Sequence, residues 1–362
     1  MDMVAPQARP RRTVVFVVGA LLLLGATTSC RGGCARERPA PRPVDGVLGW
    51  FPAETQIVVA IDFARLRATP LWGQLAALAQ ADPQDQALIA EIARRTGFDP
   101  LRQIDSIIVA FPEEARNGGA MGVVLRGQDL DQARLVAYAR DQVAKQGDDL
   151  FSFRRDGRTL WATRKQPTVA GFFADDRTFV FGAGGWAEKM AALGGSALSG
   201  AEQNPQLVHL VERARVDRST SPPVSGLVSP PLWAAAIVPA DTRAALASDP
   251  ALASGGGITR LALGVDIAGG LRAHLVADLG TRPQAEAMAA QVTDAVRAAR
   301  RSPQVLLMGL GPYLDGIAAR ASDVTTEITV NLSQAQVTDG VERLRAFLTL
   351  ARQPPVPGFP HP

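Results

Sequence analysis

Apolar and polar residues alternate along three segments in the second half of the chain, Leu261–Ile267, Leu271–Leu279 and Val324–Leu332. Period-two alternation predicts strands with one buried and one wet face, which is typical of antiparallel sheets covered by helices on one side. The polar positions predict a mixed polar surface that could bind a partner, although an ordinary solvated sheet face has the same pattern. These positions are Arg272, His274, Asp278, Glu327, Thr329 and Asn331.

The same order of elements occurs twice. In each half two predicted strands are followed by a helix with a capping-box start, at Asp129–Gln132 and at Thr281–Gln284. A later strand then leads into another helix, at Trp186 in the first half and after a Ser333–Gln336 box in the second. The sequence therefore predicts an α+β fold made of two related halves of antiparallel sheet, with helices packed on one face.

Short local signals add detail to the first half. The apolar run Ile57–Ile61 predicts a buried strand, and Asp62 directly after it predicts the N-cap of a short helix. Asp156-Gly157 between two β-rich segments predicts a tight hairpin. The pentapeptide Phe51–Thr55 recurs loosely as Val238–Thr242, which gives weak support for an internal duplication.

Before the body lies a segment with the features of an export signal. Arginines at positions 9, 11 and 12 precede an apolar run from Thr13 to Gly25, which is shorter than the roughly 20 residues of a membrane-spanning helix. The small residues before Cys30 resemble the lipobox of bacterial lipoproteins, which implies cleavage before Cys30 and a lipid on its thiol. Thr27 stands where that motif prefers Leu, so an uncleaved membrane anchor and plain secretion remain alternatives. Arg31 after the cysteine slightly favours the outer membrane by the sorting rules of such lipoproteins.

Composition shifts divide the chain into further segments. Proline and arginine are dense just after Cys30, which predicts a flexible tether, and Ser/Pro-rich residues separate the halves. The expected boundaries are a signal peptide at 1–29, an anchor cysteine and tether at 30–43, a first half at 44–218, a connection at 219–231, a second half at 232–352 and a disordered tail at 353–362.

Charge and cysteine content exclude some functions. The formal net charge is +3, but the signal and the tether carry the excess arginines, so the body from Val44 onward is slightly acidic. The sequence of the body shows no basic patch that could neutralise phosphates, so nothing in it favours nucleic acid as a partner. Both cysteines, Cys30 and Cys34, precede the body, which excludes cysteine catalysis and thiolate metal binding there.

Other candidate motifs favour structural roles. Phe181–Ala187 contains G-x-G-x-x-A, but we interpret it as a glycine turn rather than a dinucleotide site because the expected βαβ context is missing. His209 and Glu212 are spaced like two ligands on one helix face, yet no further histidine or cysteine supports a metal site. Adjacent acidic pairs such as Asp148-Asp149 and Asp175-Asp176 mark turns. The sequence predicts no cofactor, no metal and no catalytic residue.

The start of the body carries phrases that resemble a known group of proteins. Phe51–Thr55 followed by Val58–Asp62 and then Arg65–Pro70, together with Thr96–Leu101, are similar to predicted bacterial envelope lipoproteins of domain-of-unknown-function families. This resemblance implies a location in the cell envelope and implies no activity, cofactor or site residue.

These observations favour a non-enzymatic envelope lipoprotein that faces the periplasm. Its membrane contact would be the lipid anchor on Cys30, and its folded body would be presented to an unknown envelope protein. A periplasmic module that binds a ligand or a lipid, and an enzyme with dispersed residues, are the alternatives. A large dry pocket would favour the ligand-binding module, and buried convergent carboxylates or histidines would favour the enzyme.

Overall fold

The computed structural model describes residues 46–79, 83–113, 119–196, 199–215, 229–248 and 253–351. Cys30, the tether and the C-terminal tail, on which several of the expectations above rest, lie outside the described residues. Within the described residues the chain forms one antiparallel sheet of twelve strands with helices around it. The predicted α+β class is confirmed.

The strands are numbered along the chain. Their order across the sheet is β11-β12-β10-β9-β8-β1-β2-β3-β7-β6-β5-β4. Their bounds are β1 Thr55–Asp62, β2 Ile104–Pro112, β3 Met121–Gly127, β4 Leu150–Arg155, β5 Arg158–Thr163, β6 Ala170–Phe173, β7 Thr178–Ala183, β8 Leu232–Ile237, β9 Ile258–Asp266, β10 Gly270–Leu279, β11 Ile317–Ser322 and β12 Thr325–Ser333.

The helices are numbered in the same way. Short 3₁₀ turns at Leu48–Trp50, Gly200–Gln203 and Ala253–Gly257 accompany them. Their bounds are α1 Phe63–Arg67, α2 Trp72–Ala79, α3 Pro83–Thr96, α4 Pro100–Gln103, α5 Gln132–Lys145, α6 Trp186–Leu193, α7 Pro205–Arg215, α8 Ala240–Ser248, α9 Arg282–Arg301, α10 Pro303–Leu307, α11 Gly311–Leu314 and α12 Gln334–Ala351.

The two halves share one topology. In the first half β1, β2 and β3 form a meander, α5 follows, and the chain returns so that β7 pairs with β3. In the second half β8, β9 and β10 form the meander, α9 follows, and β12 returns beside β10. The segment after the first meander contains four strands, β4 to β7, and is followed by α6. The corresponding segment of the second half contains two strands, β11 and β12, and is followed by α12.

The halves are joined by their first strands. β1 pairs with β8 antiparallel at the centre of the sheet, with Val59 opposite Ala234 and Ile61 opposite Leu232. The loosely repeated pentapeptide does not follow this relation, because Phe51–Thr55 leads into β1 whereas Val238–Thr242 follows β8. The likeness of the two halves therefore lies in the order of their elements and not in that pentapeptide.

Helices cover both faces of the sheet. Ala60 of β1 belongs to a core cluster with Trp186 of α6 and Leu210 of α7. The neighbouring Ile61 belongs to another cluster with Leu66 of α1 and Val337 of α12. Because successive side chains of a strand point to opposite faces, these clusters lie on opposite sides of the sheet. We call them the α6–α7 face and the α9–α12 face, since Ala285 of α9 also packs on the latter, against Ala277 of β10.

Local signals agree with the structure at most helix starts. Asp62 accepts a hydrogen bond from the Arg65 backbone N–H at 2.9 Å, and Ser333 and Gln336 form the reciprocal capping box. At α5 the cap is Asp131, which accepts from the Arg134 backbone N–H, while Asp129 adopts a left-handed turn conformation with φ of 54°. The expected box at Asp129 was thus misplaced by two residues, because a second aspartate follows the turn.

Candidate functional site

The polar surface expected on the second half lies on one face of the sheet. In the β10–β12 register Arg272 faces Asn331 and His274 faces Thr329. Asp278 and Glu327 occupy the same face, because their positions differ from these by even numbers along each strand. All six residues therefore lie on one face of the sheet, as the alternation pattern predicts.

Two members of this set are engaged in the fold. Asp278 is 4% exposed and accepts hydrogen bonds from the Arg213 guanidinium at 2.8–2.9 Å and from the Thr325 hydroxyl at 3.0 Å. The Arg260 Nε lies 3.1 Å from the same carboxylate. Glu327 is also buried and pairs with Arg320. These carboxylates hold α7 and neighbouring strands together, which leaves less of the polar surface for a partner.

The rest of the polar surface is partly exposed. Arg272, His274 and Thr329 are half-buried, and Asn331 is exposed. Arg272 also lies 4.0 Å from Asp266 across the β9–β10 pair. This remainder is a small, mixed polar area on β10 and β12.

A different surface stands out at the centre of the α9–α12 face. Val59 is 37% exposed although β1 is a central strand of the sheet. Val109 and Ala234 lie beside it on either neighbouring strand and are half-buried. We call this row the central strip. Its members are Ile57, Val59, Val109, Ala234, Ala236 and Leu263.

Helical elements cover the regions that flank the central strip. Towards the end of β1, Leu66, Leu71 and Val337 pack over Ile61 and its neighbours. On the second half Ala285 and Met288 of α9 pack with Ala277 and Leu279, and on the first half Leu130 packs with Ile107 and Leu125. The central strip is thus an apolar floor left between elements that belong to the two halves.

No pattern in the sequence indicates this surface. Ile57–Ile61 is apolar at every position, so the pattern predicts a strand buried on both faces. Whether one face is covered depends on helices that are distant in the chain. An exposed valine in such a run is visible only once the helices are placed.

A shallow cleft lies between α9 and the edge strand β11. Its volume is about 330 Å³, and Val292, Val296 and Ile317 contribute apolar walls. Arg297 and Arg300 line it as well, but each is ion-paired, with Asp294 and Asp315 respectively. The volume is at the lower end of the range for small-molecule sites.

Buried acidic chemistry is present at Asp62 but serves the fold. Burial raises the pKa of Asp62, and the charge of Asp105 raises it further, while the Arg65 backbone N–H and guanidinium oppose this shift. Its carboxylate caps α1 and lies 3.4 Å from the Arg65 Nε. A carboxylate occupied in this way is a structural cap, as the sequence predicted.

The weaker sequence motifs occupy surface or turn positions. His209 and Glu212 are each about two-thirds exposed, with 4.0 Å between the imidazole and the carboxylate. The G-x-G-x-x-A segment turns through Gly184 and Gly185, both with positive φ, after a strand with antiparallel neighbours. Within the described residues, no three His, Cys, Asp or Glu side chains are grouped so that they could share a metal ion. No helix of that same part of the chain has the length and apolar character needed to cross a membrane.

Comparison with known proteins adds little to these observations. No protein-family model matches the chain, and no curated protein matches it. A solved structure described as crystal form I of the treponemal protein TP0453 aligns over 84% of this chain and 97% of its own, at 10% identity and a TM-score of 0.37. A likeness of this degree does not establish a shared topology.

Proposed function

We propose that this chain is a non-enzymatic envelope protein that binds another protein through the central strip. A lipid on Cys30 would hold it at the membrane, with the outer membrane favoured, and residues 31–43 would tether the body in the periplasm. The observation that carries the binding role is the 37% exposure of Val59 in the middle of the sheet, within a row of apolar neighbours. Its neighbours in the strip are half-buried, and an apolar area that is left partly exposed in this way is a feature of binding surfaces.

The partner that fits is an amphipathic helix of another envelope protein. The chain covers the flanks of the same face with its own helices, α9 and α12, which bury apolar side chains against the strands. A further helix laid over the central strip would complete that layer by the same packing. Val59 is exposed along a row that runs across neighbouring strands, and such a row suits the length of a helix better than a small molecule that needs enclosure.

A photo-crosslinking amino acid placed at Val59 tests this role. In cells, the Val59 variant should give a discrete protein adduct, and the same substitution at Asn331 on the opposite face should not. Unlabelled wild-type chain should compete the adduct away, and unlabelled Val59→Lys should compete less well, since a lysine head group would be left against the partner's apolar face. Equal adducts from both positions, or adducts with lipid alone from Val59, would contradict the proposed protein partner.

The anchor is tested separately by mass spectrometry of the mature N-terminus. A diacylated or triacylated Cys30 is expected, with processing lost in Cys30→Ala and blocked by an inhibitor of lipoprotein signal peptidase. An intact Met1 or an unmodified processed terminus would exclude the lipid anchor and leave the uncleaved or secreted forms. Cys34→Ala is the matched control, because the resemblance to a lipobox assigns the lipid to Cys30 alone.

The cleft between α9 and β11 supports a second candidate, a site for a small apolar ligand. Its walls combine apolar side chains with the stems of Arg297 and Arg300. Saturable binding of a fatty acid that is abolished by Val296→Asp, with Val59→Lys as the unaffected control, would support this candidate.

A further inference from the structure

The large apolar side chains exposed on the described part of the molecule are concentrated in one place. Leu306, Leu307 and Met308 are 61%, 87% and 54% exposed, at the end of α10. Among the side chains whose exposure the structure describes, a set that leaves out those of residues 344–351, Val59 is the only other large apolar one exposed by more than a third. We call Leu306–Met308 the apolar tip.

The apolar tip is a closed turn. The Met308 backbone N–H donates to the Gln304 carbonyl at 3.0 Å, and the Leu310 N–H donates to the Val305 carbonyl at 3.0 Å. Gly309 supplies the left-handed residue, with φ of 64°, that ends such a turn. The side chains therefore project from a backbone that is already fixed.

One arginine holds this turn, and a second holds the short helix that follows it. The Arg343 Nη1 of α12 donates to the Met308 carbonyl at 2.7 Å, and the Arg300 Nη2 of α9 donates to the Leu314 carbonyl at 3.2 Å. Arg300 and Arg343 are in turn ion-paired with Asp315 and Asp339. These two arginines are thus charge-compensated, and their stems are long enough to keep the charged groups in water.

We propose that the apolar tip inserts into the headgroup region of a lipid bilayer. A stable protein interface buries about 800 Å² per partner, which three adjacent side chains on a convex tip cannot supply. A bilayer accepts a small convex apolar group without a complementary pocket, and binding grows with the apolar area inserted. The tip adds a second membrane contact to the proposed function and does not depend on a lipid at Cys30.

Vesicle flotation of an anchor-free protein tests the tip. The protein is the chain from Cys30 onward with Cys30→Ser and Cys34→Ser. It keeps every buried core side chain of the described residues, all of which lie beyond position 46, and circular dichroism checks its fold. The probe is vesicles of phosphatidylethanolamine and phosphatidylglycerol. Leu307→Asp should lower the partition coefficient about tenfold or more, because the side chain no longer leaves water.

Gln304→Asp is the matched control. It makes the same charge change on an exposed residue of the same short helix and should change partitioning less than about twofold. Equal losses from both variants would show a charge effect and overturn the proposal, as would the absence of any vesicle binding by the parent.

A local readout separates insertion from other contacts. A polarity-sensitive fluorophore on Leu307→Cys, in the same background, should shift to the blue when vesicles are added. The same label on Asp156→Cys, at the β4–β5 turn, should not shift. A label that is already blue-shifted without vesicles would show that the chain itself covers the tip, and would overturn the proposal. Neither outcome depends on the lipid anchor or on the central strip, so failure here leaves the crosslinking at Val59 and the Cys30 experiment to decide the proposed function.

Discussion

At the residue scale the molecule depends on a few buried charges that have many partners. The Asp278 carboxylate contacts the guanidinium groups of Arg213 on α7 and Arg260 on β9, and it accepts a hydrogen bond from the Thr325 hydroxyl on β12. A buried carboxylate without partners would lose most of its hydration free energy, so these contacts are what allow the charge to be buried. The alternation pattern predicts Asp278 as a solvent-exposed surface position, but in the structure it is buried and links α7 to the sheet.

Removing that carboxylate should be costly. Asp278→Ala leaves the Arg213 guanidinium, which is 14% exposed, without its anion, and we expect a loss of about 3–5 kcal/mol in the free energy of unfolding. Urea denaturation measures it. Glu212→Ala on the same helix, where the carboxylate is 67% exposed, should change stability by less than about 0.5 kcal/mol. A similar small effect for Asp278→Ala would contradict the assigned role.

Asp62 should make stability depend on pH in a defined direction. Burial raises its pKa in the folded protein, so the folded state holds the proton more tightly than the unfolded state does. Its contribution is therefore greatest at pH values below the unfolded pKa of about 3.9 and is lost as the pH rises through the raised pKa of the folded state.

Asp62→Asn tests this linkage while keeping a side chain that caps helices well. The free energy of unfolding of the wild type, minus that of Asp62→Asn, should fall as the pH is raised from about 3.5 to 7. Asp131→Asn makes the same change at the exposed cap of α5 and serves as the control. A difference that rises with pH would mean that the attraction of Arg65 outweighs burial.

At the element scale close packing of helix on strand fixes where α7 sits. A Cβ added to Gly264 of β9 would lie 2.4 Å from the Ala214 carbonyl oxygen and 3.1 Å from the Pro230 ring. No side chain can occupy that space unless the end of α7 moves. The glycine therefore sets the distance between α7 and the sheet on the α6–α7 face.

Gly264→Ala should destabilise the protein by about 1–3 kcal/mol, because the clash is with backbone. Gly73→Ala in α2 is the control, since its added Cβ has no neighbour within 4 Å and alanine favours a helix. Thermal unfolding should show a lower midpoint for the first variant and an equal or higher midpoint for the second. Equal midpoints for the two variants would show that α7 adjusts freely.

Particular elements show how far the sequence could go. Period-two alternation predicted β9, β10 and β12. Each of these strands carries apolar side chains on one face and polar side chains at several positions of the other face, so the alternation is visible in the sequence. The Asp156-Gly157 dipeptide predicted a hairpin, because Asp-Gly tolerates the positive φ that a tight hairpin turn requires. Both residues adopt positive φ in the structure, and β4 pairs with β5 across them. Both the Asp-Gly turn and the period-two alternation depend on residues that are close together in the chain, so a single sequence is enough to predict them.

The rest depends on contacts between distant segments. The sequence did not predict that helices divide between both faces, because α7 covers strands whose inward residues, Ala235, Ala262 and Gly264, are small and carry little signal. It also missed the central strip and the apolar tip. An exposed apolar residue reads like a buried one until the elements around it are placed.

At the scale of the whole molecule the central β1–β8 pair makes the two halves one sheet. Val58 and Ala60 of β1 are in the same core cluster as Trp233 and Ala235 of β8, all at 2% exposure or less. Opening this pair would expose that cluster, so the halves should unfold together. β4 and β11, at the two edges, each have one neighbouring strand and exposed or half-buried side chains.

Hydrogen exchange should therefore show a gradient across the sheet. Amide protons of β1 and β8 should exchange only through global unfolding, while those of β4 and β11 should exchange through smaller openings and with lower protection. The measurement is native-state exchange followed by mass spectrometry. Exchange of β1 and β8 before the cores of the two halves would show that the halves separate and unfold independently.

The antiparallel contact between β1 and β8 also bears on how such a chain could arise. Two identical strands can pair in this way across a local twofold axis, so a chain with one meander could join a second copy of itself at the same edge. A duplicated and fused gene would then keep that contact inside one polypeptide. Its two outer ends would be free to diverge, which fits a four-strand return on one side and a two-strand return on the other.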